Sequence, residues 1–290
     1  MFQIIEKDIT SYSTIRTKSY AKYFCTIRNT EDLKEALEFS KQKEIKYKVL
    51  GNGSNILFSK EYYDKLLFLK LGKEFNFFNF DKNNIHIGAS HSLIQAGRKL
   101  INLGYEDFIF FNLIPANIGG AVRQNAGVGN SEEIKDVIFS CILYDTELND
   151  KVELTKNNLN FSYRKSLIKE NPDKYIILSA KFCLKDPVSD LRALEFKMKN
   201  RVKEKLLREP KGYCFGSTFM NKEKAAWEYV DGVYDDLKLS NSVFFSKKHK
   251  NWIINKNATG REVYGLVRNA QRLIQKKYSV KLNEEVDVIK

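Results

Sequence analysis

The residues with the most chemical content fall in two clusters rich in glycine and asparagine. Gly51-Asn52-Gly53-Ser54-Asn55 follows a short apolar run, and Ile114-Pro115-Ala116-Asn117-Ile118-Gly119-Gly120-Ala121 leads on to Asn125-Ala126-Gly127. Glycine lets backbone N–H groups converge on an anion without a Cβ in the way, and Ser and Asn side chains add donors. The first cluster is not a Walker loop, because Ile56-Leu57 stands where Gly-Lys-Ser would be, and it is not a G-x-G-x-x-G fingerprint. Alone it reads as a hairpin turn. Two such loops far apart in the chain suit a dinucleotide, whose pyrophosphate and flavin or base need close backbone approach.

Other reactive residue types say less. Cys25, Cys141, Cys183 and Cys214 form no Cys-x-x-Cys pair, and His86, His91 and His249 make no metal-ligand spacing with them. No metal is expected, and the cysteines fit buried, reduced thiols of a cytosolic protein. Lys plus Arg is 49 against 36 for Asp plus Glu, a net charge of +13. That excess invites nucleic acid, a membrane surface or a phosphorylated small molecule. The basic residues are scattered, however. In the densest stretch, Lys197 to Lys205, the pattern Leu191, Leu194, Met198, Val202, Leu206 turns the charges to the opposite, solvated face of a helix.

The elements that must position these residues are legible from pattern. Asn29 and Thr30 head a helix through Leu33, Ala36 and Leu37, with Glu31 and Asp32 at its positive end. Tyr47 to Leu50 and Leu66 to Leu71 read as strands flanking the first glycine loop, and Ile85 and Ile87 alternate ahead of Gly88. Leu93, Ala96, Gly97, Leu100 and Ile101 form a helical stripe closed by Gly104. Val137 to Tyr144 and Tyr175 to Leu184 read as strands, and Pro187 and Ser189 open a long helix ending before Pro210. Thr259-Gly-Arg-Glu262 is a capping box, and Val286 to Val288 closes the chain as a strand. At 290 residues, 43% of them apolar, the chain has room for about two domains with their own cores. Strands and helices mix without regular alternation, which predicts α+β. Met1-Phe2-Gln3 followed by charged residues gives no signal peptide, and Phe108 to Val122 is too polar to span a bilayer. A soluble, cytoplasmic protein is expected.

The ordered set of motifs resembles one family, the UDP-N-acetylenolpyruvoylglucosamine reductases. The family's V-L-G-x-G-S-N-x-L appears as Val49 to Leu57, and its I-P-G-x-x-G-G-A…N-A-G as Ile114 to Ala121 with Asn125 to Gly127. Its Y-R-x-S is Tyr163-Arg164-Lys165-Ser166, and its G-S-x-F-x-N is Gly216-Ser217-Thr218-Phe219-Met220-Asn221. Ser246 to Asn255, Ala258-Thr259 and the terminal Leu282-Asn283-Glu284-Glu285-Val286 complete the series. The departures are Lys18-Ser19 in place of a Gly-Gly pair, Ala116 for a glycine, and Met220 and Lys222 around Asn221. The short segment after Ser166 matches the subgroup without the extra substrate-covering loop.

The resemblance implies a two-lobed FAD-binding domain of the flavin oxidase (PCMH) type, with lobes at 1–66 and 67–186, and a smaller α+β substrate domain at 187–290. It implies non-covalent FAD held by Gly51, Asn52, Gly53, Ser54, Asn55, Pro115, Gly119, Gly120, Ala121, Asn125 and Gly127. NADPH is then the co-substrate, and UDP-N-acetylglucosamine enolpyruvate is reduced to UDP-N-acetylmuramate in peptidoglycan precursor synthesis. Arg164, Ser217 and Glu285 match the family's catalytic residues, and Tyr163 and Asn221 match substrate contacts; Glu284 is read as solvated. Two alternatives stay open: another FAD-dependent oxidoreductase of the same fold, or a basic nucleic-acid-binding protein, although no basic stripe interleaved with aromatics supports the latter. Many such oxidases tether FAD through a His near the first glycine loop, and none lies near Gly51 to Asn55.

Overall fold

A computed structural model describes residues 3–81, 84–129 and 132–290. Met1 and Phe2, part of the N-terminal stretch discussed above, lie outside the described residues. The chain divides into two compact units. The first comprises residues 1–5, 23–52 and 65–205, and the second 6–22, 53–64 and 206–290.

The first unit is built on a five-stranded sheet in the order Asp150–Thr155, Ile138–Asp145, Tyr175–Cys183, Asn84–Gly88, Phe78–Asp81, antiparallel throughout. Tyr175–Cys183 reads as a nearly continuous apolar run and is buried along most of its length, as its central position requires. The helix Leu93–Asn102 lays Leu93, Ala96, Gly97, Leu100 and Ile101 into the core, and Gly104 ends it at a φ of +91°. A β-carbon at Gly97 would stand 2.7 Å from Phe111 and Asn112, so glycine there permits the 3-10 segment Glu106–Leu113 to pack against the helix. Elsewhere in this unit Lys46–Val49 pairs in parallel with Leu66–Leu69, on either side of the first glycine loop in sequence.

Helix Leu191–Arg208 departs from expectation in depth. Of its five-residue apolar stripe only Leu194 is buried, packing with Ile101, Ile109 and Met198, while Leu191 is 45% and Leu206 63% exposed. The cysteines also differ from expectation: Cys25 and Cys141 are buried, Cys214 is half-buried, and Cys183 is exposed at the end of its strand, beyond the buried central run.

The second unit packs around the helix Gly260–Tyr278, whose Val263, Leu266, Val267, Ala270 and Ile274 are buried. Thr259 and Glu262 form the expected capping box, with Thr259 N–H donating to Glu262 at 2.7 Å. Val243–Phe245 and Ile253–Asn255 form an antiparallel pair, and Asp287–Ile289 pairs in parallel with Ile56–Phe58. That last pairing brings the C-terminus beside the strand that follows the first glycine loop.

Candidate active site

In the first unit the two glycine clusters are fastened to one another. Asn52 Nδ2 donates to the Pro115 carbonyl at 2.7 Å. The Lys70 ammonium donates to the Gly51 carbonyl, and burial pulls its pKa below the ordinary lysine value. Around the second cluster, Gly119 N–H donates to Ala89 O at 2.9 Å, Ile118 N–H to His91 O at 3.0 Å, and Leu93 N–H to Ala116 O at 2.9 Å. These bonds set the entry to the short helix Ile118–Gln124, in which Ala121 is buried. A β-carbon added at Gly51 or at Gly120 meets nothing within 4 Å, so both glycines face open space beside these loops.

Gly53 belongs to the second unit and is closely packed there. It has a φ of +74°, and a β-carbon would sit 2.0 Å from the Tyr12 carbonyl oxygen. Glycine at 53 is therefore demanded by the chain packed behind the loop, whose register is held by Thr14 N–H donating to Gly53 O at 3.0 Å. Ser54 is half-buried, and Asn55 Nδ2 donates to the Glu285 carbonyl at 3.0 Å. Among the described residues, the N–H groups of Gly51 and Asn52, in the first unit, have no backbone acceptor. Donors left open beside a glycine that faces empty space are what an anionic diphosphate needs. The residues present fit the pyrophosphate of a dinucleotide.

Arg164 lies in the first unit with a φ of +57°, and its side chain is 10% exposed. Its Nη1 is 3.2 Å from Glu133 Oε1 and also donates to Asn125 O at 3.4 Å, while Nη2 donates to Gly127 O at 3.0 Å. The Tyr163 ring lies 4.8 Å from the guanidinium carbon, a cation–π contact. Asn125 is fully buried at a φ of +44°. Its Nδ2 donates to Glu133 Oε2 and to Ser162 O, both at 3.0 Å, and its Oδ1 accepts from Lys135 N–H at 3.0 Å. The Asn125 side chain thus serves the wall around Arg164. Gly127 has its own packing reason for lacking a side chain, since a β-carbon would meet Glu132 O at 2.3 Å.

In the second unit Ser217 and Glu285 come from short segments running antiparallel to one another. Glu285 N–H donates to Thr218 O at 2.8 Å, Met220 N–H donates to Asn283 O at 2.9 Å, and Phe219 bridges Glu284. Asn251 pins the Ser217 segment from its other side. Its carbonyl accepts from Thr218 N–H at 2.8 Å, and its side chain makes both bonds to the Phe219 backbone at 2.9 Å. Ser217 follows Gly216, whose φ is +82°. Asn221 is exposed, and its Oδ1 accepts from Ala226 N–H at 2.9 Å. Glu284, expected from sequence to be solvated, is half-buried with Arg268 at 3.9 Å, because the Phe219 bridge draws it against the unit.

Sequence reasoning missed Glu133, Lys70 and Asn251. Glu133 and Lys70 sit among ordinary charged residues, and only their burial beside motif residues sets them apart. Among the described residues no group of three His, Cys, Asp or Glu side chains could hold a metal.

Known proteins share this arrangement of chain. A profile of the UDP-N-acetylenolpyruvoylglucosamine reductase C-terminal domain matches residues 208–289, and an FAD binding domain profile matches residues 21–145. The UDP-N-acetylenolpyruvoylglucosamine reductase of Caldicellulosiruptor bescii is 31% identical over 288 residues, covering 96% of this chain and 88% of the relative. The chain belongs to the UDP-N-acetylenolpyruvoylglucosamine reductase family. The reductase of Francisella tularensis is also 31% identical, covering 96% of this chain and 97% of its own. The crystal structure of the Thermus caldophilus reductase matches with a TM-score of 0.81 at 24% identity, covering both chains completely, which shows the shared α+β fold. As a member of this reductase family the protein is an FAD-dependent enzyme. Neither the nucleic-acid-binding reading nor another oxidoreductase activity is favoured by these matches. No helix among the described residues is long and apolar enough to cross a membrane.

Proposed function

We propose that this reductase uses NADPH to reduce the enolpyruvyl group of UDP-N-acetylglucosamine enolpyruvate in the cytoplasm, giving UDP-N-acetylmuramate. The observation that carries the reading is the bond from Asn52 to the Pro115 carbonyl, which joins two glycine loops whose Gly51 and Gly120 face open space. FAD supplies the hydride chemistry when bound. Gly51, Asn52, Gly53, Ser54 and Asn55 offer it backbone donors, and Pro115, Gly119, Gly120, Ala121 and Gly127 give it close backbone approach. Asn125 contributes by shaping the wall. The C-terminal segment, residues 187–290, takes the nucleotide-sugar, with Tyr163 and Asn221 as further substrate contacts.

Addition of hydride to the terminal vinyl carbon leaves negative charge on an enolate beside the substrate carboxylate. Arg164 answers that charge: its guanidinium is a cation fixed in place before the reaction, held by Glu133 and the Gly127 carbonyl. Ser217 Oγ gives its proton to the carbon next to the carboxylate. Glu285, whose backbone N–H is bonded to the Thr218 carbonyl, acts as the acid that hydrogen-bonds the enolate.

The test is the absorbance of the purified protein under anaerobic conditions. The expected protein is yellow, is bleached by NADPH, and regains its colour stoichiometrically with UDP-N-acetylglucosamine enolpyruvate as UDP-N-acetylmuramate forms. A colourless protein, or one that NADPH bleaches and the enolpyruvyl sugar leaves bleached, would overturn the proposal.

A further inference from the structure

We infer that Glu133 is a positioning residue for the reduction of the enolpyruvyl group, acting through Arg164. The inference rests on the reading of Arg164 as the cation that meets the enolate, and it goes beyond that reading by naming what fixes the cation's direction. Glu133 is 6% exposed, so its carboxylate has lost most of its water and must be compensated by the protein. Three groups do this. Arg164 Nη1 lies 3.2 Å from Oε1, while Asn125 Nδ2 at 3.0 Å and the Lys135 ammonium at 2.8 Å reach Oε2.

The arginine is held from more than one side. Glu133 and the Asn125 carbonyl bind Nη1, the Gly127 carbonyl takes Nη2, and the Tyr163 ring lies against the guanidinium. A planar guanidinium fixed at two nitrogens has little freedom to turn about its own axis. Glu133 is also fixed from its backbone, since its N–H donates to Asp136 at 2.8 Å. Its neighbour Glu132 grips Arg201 of the long helix through both carboxylate oxygens, with Nη1 donating to Oε1 at 2.7 Å and Nη2 to Oε2. The strand Glu132–Glu133 is therefore anchored at both residues, and its second carboxylate is a firm stop for Arg164.

Stopped-flow absorbance of the holoenzyme tests this with Glu133→Gln, which keeps size and an acceptor oxygen but removes the charge. Reoxidation by the enolpyruvyl sugar is expected to slow by about 10- to 100-fold while bleaching by NADPH keeps its wild-type rate. Combined with Arg164→Lys, Glu133→Gln should slow reoxidation no further than Arg164→Lys alone, because both act through one guanidinium. Glu133→Asp keeps the buried charge but withdraws it by a methylene, and it serves if the glutamine variant does not fold; the same slowing confined to reoxidation is expected. Wild-type reoxidation, equal slowing of both phases, or losses that add in the double variant would each overturn the inference. If Arg164→Lys alone leaves reoxidation unchanged, the reading of Arg164 fails instead, so the two failures are distinct.

Discussion

The backbone N–H of Glu285 donates to the carbonyl of Thr218 at 2.8 Å. Residues 67 positions apart are thereby set side by side at the backbone, one step from Ser217. The second unit therefore carries the proposed proton donor and the proposed acid on segments whose relative register is fixed by hydrogen bonds, with Asn251 bracing the Ser217 side.

Ser217→Ala separates the two half-reactions. Bleaching by NADPH needs no proton on the substrate carbon and should stay near the wild-type rate. Reoxidation by the enolpyruvyl sugar should slow by roughly 10²–10⁴, the range for a lost general acid. Ser217→Cys should recover part of that loss. A stopped-flow trace in which reoxidation is unaffected would remove Ser217 from the chemistry.

Arg164→Lys keeps the charge and loses the fork. The structure adds a reason for severity: lysine cannot satisfy Glu133 Oε1 and the Gly127 carbonyl from the two nitrogens that arginine uses. Turnover should fall on the order of 10²–10³, as when one oxyanion donor is removed. Steady-state turnover close to wild type would return Arg164 to a structural role.

Gly120→Val and Gly51→Val test the cofactor cradle at two positions where an added β-carbon meets nothing within 4 Å. Flavin content after purification should fall while the flavin-free protein keeps its thermal midpoint. Gly120→Ala lies inside a helix and should raise apoprotein stability by up to about 1 kcal/mol while weakening flavin binding. Gly53→Val is a different experiment, since it drives a side chain into Tyr12 and should destabilise the fold itself. Full flavin occupancy in both Gly51→Val and Gly120→Val would remove these loops as the cradle.

The local parts of this protein are legible in its sequence. The Thr259 capping box, the Gly104 helix stop and the strand–loop entry to Gly51 depend on residues within a few positions of each other, and each forms as expected. Pairings across the chain are not legible. Nothing near Glu133 marks it as the partner of Arg164, and nothing near Asn125 shows its side chain turned to Glu133, Lys135 and Ser162. Gly53 reads in the sequence as room for a ligand, whereas the room it makes is for Tyr12. A glycine motif records that a side chain is forbidden without recording what forbids it.

Acid should weaken the fold before the carboxylates titrate. Burial holds the imidazoles of His91 and His249 below the usual 6.5, and Lys99 adds repulsion at His91. The unfolded chain then binds more protons than the folded one as pH falls below about 6.5, so stability is full above that value and is lost through the lowered pKa values. The thermal midpoint should drop between pH 7.5 and 5.5, by about 2–4 °C for each kcal/mol lost. His91→Gln should flatten part of that slope; an unchanged slope would show that His91 is not a source of it.

Arg164 occupies backbone space that suits glycine or asparagine, and its charge is matched to a buried Glu133. Both features cost folding free energy that an uncharged, unstrained pair would not. A library varied at 133 and 164 and sorted only for heat resistance should drift jointly, toward glycine or asparagine at 164 and an apolar residue at 133. The same library sorted for cell-wall synthesis should hold both positions. The two selections would pull one pair of residues in opposite directions, which makes that pair a direct record of what the protein is kept for.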